Sequence, residues 1–319
     1  MTKKLLMLFI ILGITYTGFG QEEEEVEKNE EEDTFEIFED DDSFELDFDD
    51  DFEFFSLKRQ PMVKINAGIA NPNYLGQDFG EVDHFKFIFG FSKVKDDVIK
   101  RKDKDDVILR EYEDNGLLIE SYNHRSDLLS DYIDDSRQFS MLKFGYSMSE
   151  GNGYKLGENA EILLMRETGF GWQKLDYSYG VGEDSLGVAG NIDPRLKLND
   201  TYGSDVRFSS YYQAGIKIKP ISAVSIDFGF QQDLVYSRYM FWHAAASGIV
   251  EVIAEGIAEK FANKIQKSSP YVGPIAHFVL KNAISYAFME LRKKDMNWPI
   301  SSADALIINS MNLGVSFHF

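Results

Sequence analysis

The chain has 319 residues, a formal net charge of −21 and no cysteine, which excludes disulfides and attachment through a lipid-carrying cysteine. Most of the charge is local: between Glu22 and Glu53, twenty Asp and Glu stand against one Lys, leaving about −4 for the rest once Lys3 and Lys4 are counted. No basic patch rises above that background, so nucleic acid fits poorly as a partner.

The opening residues, 1–20, read as a secretory signal peptide. Lys3 and Lys4 precede an apolar run from Leu5 to Ile14, and Gly18 and Gly20 follow with the spacing of a cleavage site. That run is too short to cross a bilayer as a helix, and no later run approaches the ~20 apolar residues a spanning helix needs. Export without a helical anchor is the expectation. Residues 21–57 are acidic throughout, with Phe35, Phe38, Phe44, Phe48, Phe52, Phe54 and Phe55 recurring among the carboxylates. Like-charge repulsion and scarce aliphatic surface predict disorder. The segment is either a solvated linker or a docking tail for a basic protein partner.

From Met62 the pattern changes to a period of two, with turn residues between the runs. Val63, Ile65, Ala67 and Ile69 alternate with Lys64, Asn66 and Gly68; Phe85, Phe87, Phe89 and Phe91 then share one face opposite His84, Lys86, Gly90 and Ser92. A lysine on a lipid face near the midplane costs about 2–4 kcal/mol, so the Phe face is placed outward and Lys86 inward, where its replacement is expected to be mild. Further runs fall at Val107–Tyr122, Phe139–Met148, Glu161–Tyr177, Val206–Lys219 and Ala223–Tyr239; in the last, Val224, Ile226, Phe228 and Phe230 oppose Ser225, Asp227, Gly229 and Gln231. Inside the third run, Asp114-Asn115-Gly116 is a strong two-residue hairpin signal that competes with an even strand count.

Residues 244–294 break the alternation. Ala246, Ile249, Val250, Ile253, Ile257, Phe261 and Ile265 form one helical stripe, with Glu251, Glu255, Glu259 and Lys264 behind it. After Ser268, Ser269 and Pro270 a second stripe carries Val272, Ile275, Val279, Ala283, Tyr286 and Phe288, closing at Arg292, Lys293 and Lys294. A two-helix hairpin inserted before the last strand is expected. Its second helix is apolar over more than half its circumference and needs a further surface, so Phe261 on the first helix and Tyr286 and Phe288 on the second are candidate binding residues, and a lid over the barrel mouth is the competing reading.

Met311–Phe319 alternates once more, with Phe317 and Phe319 on its apolar face. An alternating stretch that ends on Phe resembles the closing strand of bacterial outer-membrane β-barrel proteins. The resemblance implies an all-β membrane barrel over 58–319, about eight antiparallel strands, located in the cell outer membrane and in contact with its lipid. The membrane-facing set is then Phe85, Phe87, Phe89, Phe91, Val224, Ile226, Phe228, Phe230, Phe317 and Phe319. With both termini periplasmic, the short turns fall inside and the long connections, the helical one included, outside.

Catalytic signals are sparse. There is no HExxH, Walker loop or GxSxG, the five histidines are scattered, and no metal or cofactor is expected. His124-Arg125-Ser126, with Glu120 four residues earlier, resembles the His-x-Ser element of outer-membrane lipid A deacylases. That resemblance implies His124 as base, Ser126 as nucleophile and Glu120 as the orienting carboxylate. The reading carried forward is a noncatalytic binding or structural barrel whose extracellular helical loop and periplasmic acidic tail are interaction surfaces. The alternatives are a lipid-modifying hydrolase on the same barrel and a secreted soluble β-protein.

Overall fold

Period-two alternation over runs of twelve to nineteen residues gives strands longer than the apolar runs alone define, because polar and small residues continue the pleat on the inward face. The structure, a computed structural model, describes residues 59–99, 107–124, 137–156, 160–179, 194–203 and 205–319. The expected signal peptide (1–20) and acidic tail (21–57) lie outside the described residues.

In chain order the elements are β1 (Gln60–Tyr74), β2 (Gln77–Asp78), β3 (Val82–Ile99), β4 (Val107–His124), β5 (Arg137–Lys155), β6 (Glu161–Tyr179), α1 (Pro194–Tyr202), β7 (Val206–Ile221), β8 (Val224–Val235), α2 (Phe241–Ser268), α3 (Gly273–Arg292) and β9 (Leu306–His318). Every strand pairs antiparallel with its neighbour in the chain, β2 being a two-residue extension folded back on β1. The sheet then closes: β1 pairs with β9 from Met62↔His318 to Asn73↔Ile307. The result is the eight-stranded antiparallel barrel expected from the sequence, with two helices inserted before the last strand.

The Asn115-Gly116 hairpin does not form. β4 runs straight through it, with Gly116 paired to Gly90 on one side and Ser147 on the other. A Cβ added at Gly90 would collide with the Asn115 carbonyl, so the two glycines permit close strand approach where the wall curves. Tertiary pairing on both sides overrides the local turn preference.

At the end of the barrel that carries the long connections, α1 enters the mouth. Leu198 and Tyr202, both fully buried, pack among Tyr74, Val82, Tyr122, Phe139, Val235 and Leu306. The Tyr202 ring meets Tyr74 edge-on at 5.5 Å, and its hydroxyl accepts the Leu306 amide at 3.1 Å. Burial pushes its phenol pKa above the usual tyrosine value.

Candidate functional site

The lumen holds a connected set of charges. Lys64, Lys86, Lys143 and Lys217 point inward, as do Asp114, Glu120, Glu167, Asp227 and Asp233, and all are removed from solvent. Buried charges are tolerated only when paired and hydrogen-bonded, and here each is. Glu167 on β6 accepts from Lys64 at 2.8 Å, Lys86 at 2.7 Å and the Tyr211 hydroxyl at 3.0 Å. Lys86 also donates to Gln213 at 2.8 Å and Gln231 at 2.7 Å. Lys143 bridges Glu120 at 2.8 Å and Asp233 at 2.6 Å, while Lys217 pairs with Asp114 and stands over the Tyr112 ring at 4.4 Å. Lys64 lies 3.5 Å from Asp227, which also accepts from Ser316 at 2.9 Å.

His84 completes the set. Its Nε2 is 2.6 Å from Glu120 and its Nδ1 is 2.5 Å from the Asn312 side-chain oxygen, with the ring stacked on Tyr122 at 4.4 Å. The ring therefore links β3 to β4 through Glu120 and reaches β9 through Asn312. Around six successive barrel strands the fully buried charges alternate in sign: Lys86 on β3, Asp114 and Glu120 on β4, Lys143 on β5, Glu167 on β6, Lys217 on β7, Asp227 and Asp233 on β8. Each strand therefore finds its countercharge on a neighbour or across the lumen. The interior void beside Lys64, Asp114 and Glu167 is too small to hold a water.

The outer wall has two sectors. Phe85, Phe87, Phe89, Phe91, Ile226, Phe228, Phe317 and Phe319 stand exposed on it, with Val224 and Phe230 on the same face and half-buried. Over β5 to β8 the outward positions include Glu150, Arg166, Tyr212 and Gln232, and here α3 lies against the wall, with α2 packed on α3 and reaching the wall through Glu255. Near the end with the long connections, Met289 and Met296 pack on Tyr212, Leu234 and Tyr236. Lower down, Arg166 donates to Ser285 at 2.9 Å and pairs with Glu255, while Lys281 reaches Glu150 at 3.3 Å and Glu259 at 3.2 Å. At the far end, the Tyr154 hydroxyl donates to the Tyr271 carbonyl at 2.6 Å. Arg292 ties the two helices together through Ser247 at 2.8 Å and Glu251 at 2.6 Å. Beside the tip, a cleft of about 250 Å³ runs between wall and helices, lined in part by His277, Asn282, Lys281 and Asn152.

This placement corrects the reading of the hairpin as a lid over the barrel mouth, which α1 fills instead, and differs from a loop standing free outside the barrel. The helices run down the barrel's flank to the level of Tyr154, at the end that carries the tight Ile221–Val224 turn. The physical reason is the pair of outward charges, Glu150 and Arg166, which the helices cover and neutralise. Their parity was readable in the sequence, Arg166 being one residue from the inward Glu167, and it is the signal that sequence reasoning missed. Of the candidate binding residues, Phe261 and Tyr286 are exposed, but Phe288 is buried against Trp298 at 5.6 Å and offers no free surface.

Glu120 and His124 are not brought together. Four residues along a strand span about 13 Å, and Glu120 is fully buried with His84 and Lys143 as its partners, while His124 is exposed. Ser126 lies outside the described residues. Among the described residues no group of three or more His, Asp or Glu side chains is placed to hold a metal.

No protein-family model matches the chain, and no curated protein sequence matches it. Several solved structures are similar to it, among them these two. One is Neisserial surface protein A (NspA), 8% identical, with the match covering 81% of this chain and 97% of that one at a TM-score of 0.36. The other is Ail, the attachment invasion locus protein of Yersinia pestis, 13% identical, covering 82% and 99% at a TM-score of 0.24.

Proposed function

We propose that the chain is an outer-membrane β-barrel with a structural or binding role. The observation that carries this reading is the inverted distribution of side chains: four lysines and five carboxylates sealed inside, phenylalanine and aliphatic residues exposed outside. In water such an outer wall is an apolar surface far larger than a soluble monomer shows; in a bilayer it is the lipid-facing band of a barrel whose backbone bonds are all satisfied by closure. The end with short turns is then periplasmic, which puts the acidic, Phe-rich residues 21–57 in the periplasm, where they serve as a docking tail for a basic partner. A lumen filled by ion pairs and stoppered by Leu198 and Tyr202 leaves no path for solutes.

Fractionation tests the reading. The protein is expected in the outer-membrane fraction after washing with urea and carbonate, and purified protein in a planar bilayer is expected to show no conductance. Release into the soluble fraction, or steady single-channel currents, overturns the membrane and closed-lumen parts respectively.

A further inference from the structure

The flank position of α2 and α3 raises the question of what covers their other face. No helix among the described residues is by itself long and apolar enough to cross a membrane. The acidic residues that lower the hydropathy of α2 are, however, paired: Glu255 with Arg166 of the barrel wall, and Glu251 and Glu259 with Arg292 and Lys281 of α3. The opposite face exposes Ile249, Ile253, Ile257 and Phe261 on α2 and Val279 and Tyr286 on α3.

We propose that the helix pair is an intramembrane element, its exposed apolar face covered by the acyl chains of the bilayer that surrounds the barrel. This rests on the membrane reading above. Three features support it. The first is length. Trp242 and Lys260 are 18 residues apart on α2, about 27 Å along a helix, close to the ~25 Å apolar band of outer-membrane barrels. Exposed Tyr239, Phe241 and Trp242 mark one edge, and exposed Lys260, Lys264 and Lys267 mark the other, as aromatic and snorkelling residues do at the two interfaces.

The second is reach. α3 has 20 residues, about 30 Å, and it joins Tyr236 near one end of the wall to Tyr154 near the other. The pair therefore traverses the same height as the strands. The third is the nature of the contact. In lipid there is no hydrophobic drive between helix and wall, and association rests on close packing and polar bonds. The contact here is of that kind, with Ser285 and Met289 buried along α3 and the Arg166–Ser285, Arg166–Glu255 and Glu150–Lys281 pairs as polar clamps.

Site-directed spin labelling tests the proposal, and the absence of cysteine makes each label unique. The full chain is reconstituted in phosphatidylcholine vesicles with a nitroxide at Ile249→Cys, Ile253→Cys, Ile257→Cys or Phe261→Cys, and at Phe228→Cys on the barrel's own exposed wall as a reference. Collisions with oxygen, which concentrates in lipid, are compared with collisions with a water-soluble nickel chelate. The expected result is loss of nickel collisions at Ile253 to the level of Phe228, with immersion depth greatest in mid-helix and falling toward both ends.

Nickel access at Ile253 with none at Phe228 overturns the proposal and leaves the membrane barrel standing. Access at both positions overturns the membrane reading itself. Exclusion of both reagents at Ile253 shows a second copy of the chain on that face, and a uniform shallow depth along α2 shows a helix lying in the headgroup layer; either result overturns the proposal.

Discussion

Arg166 on the outer face of β6 donates to the Ser285 hydroxyl of α3 at 2.9 Å. The same guanidinium pairs with Glu255 of α2 and, at 3.2 Å, with Glu150 of the adjacent strand β5. One side chain thus clamps both helices to two strands.

Arg166→Ala removes the clamp, leaving Glu255 without its guanidinium and half-exposed Glu150 with Lys281 alone. The groups keep some solvent access, so the cost falls between surface and buried pairs, about 2–4 kcal/mol. Urea unfolding of the protein in vesicles measures it. A double-mutant cycle with Glu255→Gln is expected to show a coupling of about 0.5–3 kcal/mol; strict additivity would mean that the pair is independent.

Inside the barrel, Glu167→Ala takes from buried Lys86 its carboxylate partner and from Lys64 the nearer of its two, leaving Asp227 at 3.5 Å. A loss of about 3–5 kcal/mol is expected, since an unpaired buried charge is what remains. Lys86→Met belongs in the same class, because it leaves Glu167 and two glutamine oxygens short of a donor. The expectation from sequence that Lys86 tolerates replacement is thereby corrected: an inward lysine avoids lipid, but its place in a dry network makes it costly to remove. Unfolding midpoints near the wild type for both variants would refute this account.

On the outer wall, position along the barrel axis sets the cost. Phe87→Arg, in mid-strand, is expected to destabilise by about 2–4 kcal/mol, whereas Phe319→Arg, beyond the end of β9, is expected to cost about 0–1 kcal/mol. Equal effects in the same vesicle assay would show that the apolar band is not centred on the barrel.

The stopper at the mouth gives a prediction in which stability and conductance separate. Leu198→Ala leaves a cavity among tightly packed neighbours and is expected to cost about 2–5 kcal/mol. It is not expected to open a channel, because the ion pairs below still fill the lumen. Currents from this variant in a planar bilayer would locate the barrier in α1 alone.

Much of this fold was legible in the sequence because a barrel strand writes its two environments on alternate residues. The order Val224, Ile226, Phe228 against Ser225, Asp227, Gly229 assigns each face of β8 before any coordinate is known, and the same holds for β3 and β9. Strand ends were less legible. β9 begins at Leu306 rather than Met311, since Leu306 and Ile308 pack inward on the stopper and break no rule of alternation. Least legible was the use of the outward face. Arg166 and Glu150 announce that something polar must meet them, but not which segment supplies it, because countercharges at Glu255 and Lys281 lie about a hundred residues away. The catalytic constellation failed for a related reason: spacing places Glu120 near His124 in sequence, while the pleat hands it to His84 on the neighbouring strand.

The β1–β9 seam has a kinetic consequence. Met62 and His318, 256 positions apart, are direct partners, so both edges of the sheet stay unpaired until the last strand has been synthesised and delivered. The other barrel pairings join strands adjacent in the barrel's chain order, and those before β9 can form early; this one carries the largest loop-closure entropy and the highest contact order, features that slow folding. Until it forms, two rows of free backbone donors and acceptors are available to any other extended chain. The moment of closure, rather than the growth of the sheet, is therefore where assembly is slowest and where aggregation competes with it.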